Sequence, residues 1–110
     1  MSFAAPARRF APLTGKPMSV SEARATARLL KILSDPHRLR MVNLLANSKE
    51  AVCVLDITEY LGLSQSTTSF HLKKLMDAGL LRRDRHGTWA YYSLERDVLR
   101  RLREVFRSRR

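Results

Sequence analysis

The feature that most constrains the fold is a glycine, Gly62, placed between two short stretches with helical periodicity. The first stretch spans residues 55–61. The second begins at Ser64 and runs to about Ala78, where Gly79 supplies a natural helix end. Two short helices joined by a tight glycine turn form a helix-turn-helix, so we predict this motif at the centre of the chain.

The second helix of this motif has two faces of different chemistry. Small and aliphatic residues share one face, which we expect to pack inward: Thr68, Leu72, Leu75 and Gly79. Polar, aromatic and basic residues share the opposite face: Ser66, Ser69, Phe70 and Lys73. Such side chains can contact base edges, a thymine methyl or phosphate, and a Ser64 N-cap leaves free backbone N–H groups for an anion. A solvated amphipathic helix would show the same division.

Two β-prone runs follow this helix, at residues 80–84 and 88–94, with His86 and Gly87 between them. The first strand and the tip of this hairpin are basic: Arg82, Arg83, Arg85 and His86. On the second strand we expect Ala90, Tyr92 and Leu94 to face the core. A basic hairpin beside a helix-turn-helix is the wing that grips the adjacent groove or backbone, although a merely exposed charged hairpin would look similar.

Three further helices flank this unit. We predict a first helix from Ser21, a second capped by Asp35 with Pro36 at its first position, and a last one from about Arg96. Their apolar stripes are Ala23, Ala27, Leu30 and Leu33; Leu39, Val42, Leu45 and Ala46; and Val98, Leu99, Leu102, Val105 and Phe106. We expect the small core to leave the first and last stripes partly unused, and we predict that these two helices form a dimer.

The sequence therefore predicts a mainly α fold with a small antiparallel β-hairpin, a winged helix-turn-helix. We assign residues 21–110 to this DNA-binding domain and residues 1–20 to a flexible basic arm, because that segment holds three of the four prolines and no acidic residue. The arm lies either free in solvent or against DNA phosphates.

Charge and composition narrow the class of partner. The formal net charge is +11, which favours a polyanion and above all nucleic acid. The single cysteine, Cys53, excludes an intrachain disulfide, and no apolar run reaches the length of a membrane span or a secretory signal. We therefore expect a cytoplasmic protein that does not contact a membrane.

Catalytic chemistry has no support in the sequence. There is no phosphate-binding loop, no catalytic Ser-His-Asp pattern in a recognisable context and no metal cluster. We predict that the protein is not an enzyme and uses no cofactor.

Several motifs in order resemble the ArsR/SmtB family of dimeric winged-helix repressors, over roughly residues 24–105. They are LSDPHRLR from Leu33, LGLSQS from Leu61, SFHLKKL from Ser69, RHG from Arg85 and the pair Tyr91-Tyr92. The resemblance implies a homodimeric repressor that binds an inverted-repeat operator in double-stranded DNA and leaves it when an inducer binds. The DNA-binding residues it implies, together with the face analysis, are Ser64, Gln65, Ser66, Thr67, Ser69, Phe70, Lys73, Arg83, Arg85 and His86.

Two departures from the family pattern concern specificity and sensing. Phe70 stands where the family commonly has a histidine or arginine facing the groove. Arsenic-sensing members usually have two cysteines one residue apart, whereas here Cys53 is followed at the second position by Leu55. A soft metalloid site needs about three thiolates, and His37, His71 and His86 lie in three separate elements, so we predict no metal site and expect His71 to be structural.

Two alternatives stay open at this point. Cys53 is the one candidate for a thiol-based redox or metalloid sensor, a role that needs an exposed thiol of low pKa. Its apolar neighbours Val52, Val54 and Leu55 favour an inert thiol instead. The other alternative is a winged helix that binds only protein, which would show no salt-dependent DNA affinity.

Overall fold

Five helices and three short strands follow one another along the part of the chain that this computed structural model describes, residues 15–107. In chain order they are α1 (Val20–Leu33), α2 (Pro36–Ala46), β1 (Val52–Cys53), α3 (Val54–Leu61), α4 (Gln65–Asp77), β2 (Leu81–His86), β3 (Trp89–Leu94) and α5 (Arg96–Val105). Helices α3 and α4 form the helix-turn-helix, and β2 with β3 forms the wing. This order confirms the predicted winged helix-turn-helix.

The helix starts follow from their capping side chains. The Asp35 carboxylate accepts hydrogen bonds from the backbone N–H groups of His37 and Arg38 at 2.8 and 3.2 Å, as predicted for the cap of α2. The predicted start of α1 at Ser21 was wrong. Ser19 caps this helix and accepts from the Glu22 N–H at 3.1 Å, because Ser19 and Glu22 have the spacing of a capping box.

The wing is part of a three-stranded antiparallel sheet in the order β1-β3-β2. His86 pairs with Trp89, so the turn consists of Gly87 and Thr88 and not of His86 and Gly87 as predicted. Gly87 has a φ of +67°, the left-handed conformation that the first residue of a tight hairpin turn requires. Strand β2 ends two residues later than expected, because pairing continues from Leu81 opposite Leu94 out to this turn, whereas β3 ends at Leu94 as predicted.

Strand β1 was missed by the sequence analysis. It is two residues long and pairs with Tyr92 and Tyr91 of β3. A strand of two residues is too short to show an alternation of apolar and polar side chains in the sequence. It is defined by its hydrogen-bonded pairing with β3.

The core lies between α2, α3, α4 and the sheet. It is built from aliphatic side chains with one tyrosine, and its buried members are Met41, Val42, Leu45, Val54, Ile57, Leu61, Leu72, Leu75, Leu80, Leu81, Tyr92, Leu94 and Leu102. In α2 the predicted stripe was partly wrong, since Leu39 and Ala46 are exposed and Met41 is buried. Because this helix has apolar residues on more than one side, its packing against α4 and β3 decides which side turns inward.

The outer helices use little of their apolar surface within one chain. Helix α1 has no buried residue, although Leu29, Ile32 and Leu33 pack against the core from one side. Helix α5 buries Leu102 and leaves Phe106, just beyond its end, 73% exposed. The helices described are each too short or too polar to cross a membrane. Residues 1–14 lie outside the described residues, so the N-terminal arm stays a prediction.

Candidate nucleic-acid interface

The position of α4 is set by a glycine turn and a serine cap. Gly62 ends α3 in the left-handed conformation, with a φ of +68°, and its backbone N–H donates to the carbonyls of Thr58 and Glu59. Two residues later the Ser64 hydroxyl accepts from the Thr67 N–H at 3.2 Å. The chain therefore reverses sharply between the two helices, as the sequence predicted, and the start of α4 is exposed.

The two faces of α4 are placed as their spacing predicts, with one exception. Thr68, Leu72 and Leu75 are completely buried. The Thr68 hydroxyl donates to the Ser64 carbonyl at 3.0 Å, so this buried polar group is satisfied. Gly79, predicted on the inward face, is exposed instead, because it lies past the end of α4 with a φ of +78° and terminates the helix.

The opposite face of α4 is open to solvent along its length. Its exposed members are Ser64, Gln65, Ser66, Thr67, Ser69, Phe70 and Lys73. Hydroxyl, amide and ammonium groups on this surface can donate to base edges and phosphates, and the hydroxyls and the amide oxygen can also accept. The described surface thus has the chemistry of a groove-reading helix.

Phe70 is the largest apolar side chain on this face and is 48% exposed. Its ring lies 5.3 Å from the His71 ring and 5.3 Å from the Lys74 ammonium, measured to the ring centroids. These neighbours hold the aromatic ring at the surface, where it can contact a thymine methyl.

The wing adds cations next to this face. Arg83, Arg85 and His86 are all exposed on β2. Successive side chains of a strand point to opposite faces of the sheet, so Arg83 and Arg85 lie on one face and Arg82 lies on the other. Their cross-strand partners, Tyr92 and Ala90, lie on the same face as Arg83 and Arg85. That is the face on which Leu81, Tyr92 and Leu94 pack into the core beneath α4.

A cleft of about 600 Å³ separates α4 from the wing. Ser69, Lys73, Arg83 and Arg85 all line it, so the structure brings residues from both predicted DNA-binding elements to one cavity. Asp77, also in the lining, holds the Lys73 ammonium at 3.1 Å in an exposed ion pair. The sequence analysis did not use Asp77, although its spacing of four residues from Lys73 is the signal for such a pair.

None of the residues considered for sensing lines this cleft. The structure brings His37 and His71 together although they belong to separate helices, with 5.4 Å between their ring centroids. Cys53 is half-buried in β1, opposite Tyr91. The His86 ring stands edge-on to the Tyr91 ring at 5.2 Å between centroids. Within residues 15–107 of the single chain, no group of three or more histidine, cysteine, aspartate or glutamate side chains is close enough to hold a metal ion.

His71 lies on α4 between the two faces, half-buried, and its Nδ1 atom is 3.1 Å from the Arg38 Nη1 atom. Burial lowers the pKa of His71 below its ordinary value of 6.5, and the charges of Arg38 and His37 lower it further, against the opposing effect of Asp35. This shift favours the neutral form of the ring. No local sequence pattern indicates this contact with Arg38, because the two residues are 33 positions apart.

Known proteins show the same motif in the same region. The family model for bacterial regulatory proteins of the ArsR family matches residues 35–83, from the cap of α2 to the first strand of the wing. An arsenical resistance operon repressor of Bacillus subtilis is 42% identical over 64 residues, which cover 58% of this chain and 60% of that repressor. The chain thus spans less than two thirds of this relative's length.

This chain covers a larger share of two further similar proteins than of the Bacillus subtilis repressor. An uncharacterized helix-turn-helix transcriptional regulator of Methanocaldococcus jannaschii is 35% identical over 74% of this chain and 86% of its own length. The solution structure of a homodimeric winged helix-turn-helix DNA-binding domain from Mycobacterium bovis is 30% identical, with a TM-score of 0.65 over 83% of this chain and 86% of that domain. This chain belongs to the ArsR family of winged helix-turn-helix transcriptional regulators, a family of DNA-binding proteins and not of enzymes.

Proposed function

We propose that this protein is a homodimeric transcriptional repressor that binds an inverted-repeat operator in double-stranded DNA. The observation that carries this proposal is the cleft between α4 and the wing, which is lined from one side by Ser69 and Lys73 and from the other by Arg83 and Arg85. In this arrangement α4 enters the major groove and reads base edges, while the wing binds the adjacent backbone.

Exposed apolar residues on the outer helices α1 and α5 support the proposed dimer. The exposed apolar residues on α1 form a row of Val20, Ala23, Ala27 and Leu30. A second exposed apolar group lies at the end of α5 and consists of Val105 and Phe106. Residues 15–107 of one chain leave both groups exposed, and the similar Mycobacterium bovis domain is homodimeric. Two copies related by a two-fold axis would present two α4 helices to half-sites about one helical turn apart. Because its proposed partner is DNA, we propose that the protein acts in the cytoplasm.

The proposal is tested by footprinting on the promoter upstream of the protein's own gene, followed by fluorescence anisotropy with the protected duplex. We expect protection of two half-sites about 10 base pairs apart, or a multiple of this. Affinity should fall steeply as salt rises, because arginines and lysines displace counterions from the phosphates. A scrambled duplex of the same length is the control, and equal affinity for both duplexes or an affinity that hardly depends on salt would contradict the proposal.

We further propose that arsenite, zinc and cadmium do not release the protein from its operator. A dimer contains two Cys53 thiols, fewer than the roughly three that a soft metalloid site needs. Each ion is added at micromolar concentration to the anisotropy assay, under reducing and chelator-free conditions. Stoichiometric loss of binding that a chelator reverses would show that a metal site exists. Repeating the assay with Cys53→Ser would then show whether the thiol belongs to it.

A further inference from the structure

Arg38 connects two helices that the proposed function uses for different purposes. Its Nε atom donates to the backbone carbonyl of Ile32 in the last turn of α1 at 2.7 Å. Its Nη1 atom donates to Nδ1 of His71 on α4 at 3.1 Å. One guanidinium therefore joins the end of the proposed dimer helix to the proposed recognition helix.

Arg38 supplies the donor for both acceptors. The last four carbonyls of a helix have no partner within the helix. The Lys31 carbonyl is satisfied by the backbone N–H and the hydroxyl of Ser34, and the carbonyl of Ile32 by Arg38. The planar guanidinium holds its N–H groups in a fixed fork, so the two bonds fix the geometry between α1 and α4.

The His71 ring contacts a residue on the outward face of α4. It lies between the His37 ring, 5.4 Å away, and the Phe70 ring, 5.3 Å away, measured between centroids. Phe70 is the exposed aromatic residue of the groove-reading face. A displacement of His71 therefore acts directly on a residue that we expect to meet the bases.

We propose that Arg38 and His71 are positioning residues, which hold the recognition helix α4 at a fixed orientation to the dimer helix α1. This inference rests on the proposed function, because it assigns the contact a role in operator binding. The orientation matters because two α4 helices must fit two half-sites at once, so a small rotation of α4 in each chain disturbs both.

The contact requires a neutral His71, since Nδ1 can accept from Arg38 only when it carries no proton. The charged groups that face the ring are Arg38, His37 and Asp35 on α2, and Lys74 lies across the Phe70 ring on α4 itself. The folded-state pKa of His71 is lowered, so the stabilisation is complete above the ordinary value of 6.5 and is lost as the pH falls through the lower folded value. Acid therefore breaks the contact.

The first test compares two arginine variants in the operator anisotropy assay. Arg38→Met removes the contact, whereas Arg40→Met removes the same charge from an exposed position on α2, where the guanidinium lies over the Tyr60 ring. We expect Arg38→Met to weaken operator binding by about tenfold more than Arg40→Met, the effect of losing hydrogen bonds from a charged donor. Equal losses would overturn the proposal. If the wild-type protein shows no operator binding, the proposed function has failed instead.

The second test uses His71 and does not depend on the stability of the arginine variant. The amide oxygen of His71→Asn can accept from Arg38 at the position of Nδ1 and cannot be protonated, whereas His71→Leu offers no acceptor. We expect His71→Asn to retain operator affinity and His71→Leu to lose about tenfold. As the pH falls through the folded pKa of His71, which lies below the ordinary value of 6.5, the wild-type affinity should fall relative to that of His71→Asn. Identical pH profiles, or identical affinities of the two His71 variants, would contradict the positioning role.

A third measurement needs no DNA. Nitrogen chemical shifts of the His71 ring in the free wild-type protein should show the proton on Nε2, because Nδ1 is the acceptor. The backbone amide shifts of α4 should change in Arg38→Met and stay unchanged in Arg40→Met. A proton on Nδ1 at neutral pH, or unchanged α4 shifts in Arg38→Met, would overturn the proposal even if operator binding is never observed.

Discussion

Helices α4 and α1 are similar in length but differ in how much of each is buried. Helix α4 has 13 residues and buries Thr68, Leu72 and Leu75 completely, whereas α1 has 14 residues and buries none. Helix α4 is therefore held by its own chain, and its outer face is free for DNA. The apolar row of α1 is exposed among the described residues, and we assign it to the proposed contact with a second chain. Burial therefore distinguishes the residues of α4 that stabilise the fold from the residues of α1 that we assign to dimer formation.

The largest effect should come from truncating the inward face of α4. Leu72→Ala removes a fully buried side chain from the core and should lower the free energy of unfolding by about 2–5 kcal/mol. Urea denaturation monitored by circular dichroism measures this directly. Leu39→Ala is the matched control, since Leu39 is 55% exposed on α2 and its truncation should cost less than about 0.5 kcal/mol. Similar losses in both variants would reverse the assignment of the core.

The next effect concerns α1. Leu30 is 41% exposed and lies on the row that we assign to the dimer, so Leu30→Glu should raise the dimer dissociation constant by about thirtyfold or more, the effect of a central interface residue. Analytical ultracentrifugation over a dilution series measures the constant. Leu39→Glu introduces the same charge on α2 and should leave the dimer intact. An unchanged monomer–dimer equilibrium in Leu30→Glu would show that the chains associate elsewhere.

The smallest effects should come from the outward face of α4. Phe70→Ala and Ser69→Ala should each change the free energy of unfolding by no more than about 0.5 kcal/mol, while weakening operator binding by about 1 kcal/mol or more. Melting temperature and anisotropy measured on the same samples separate the two quantities. Tyr60→Ala, an exposed aromatic truncation on α3, is the control for Phe70 and should spare operator binding. Unfolding by Ser69→Ala would mean that the two faces are interchanged.

The helices and turns that were predicted correctly are those whose capping and turn residues act on the adjacent backbone. Asp35 and Pro36 mark the start of α2, and Gly62 and Ser64 mark the turn between α3 and α4, because each of these residues satisfies or shapes the backbone next to it. The inward face of α4 was also predicted, since its aliphatic residues lie on one side only.

Features that depend on distant neighbours were not predicted. Strand β1 exists through pairing with β3, and the burial of Met41 instead of Leu39 follows from the packing of α2 against other elements. The link from Arg38 to His71 joins residues 33 positions apart, and no local pattern indicates it. The exposed surface of α4 was therefore predictable from the sequence, whereas the contact from Arg38 to His71 was not.

The central claim is that α4 and the wing bind DNA while α1 and α5 bind a second chain. Backbone amide shifts of isotope-labelled protein, recorded with and without the operator duplex, test this most directly. We expect the largest changes at residues 64–73 and 83–86, with small changes along the exposed row of α1. The largest changes on α1 and α5, or no localised changes at all, would contradict the account.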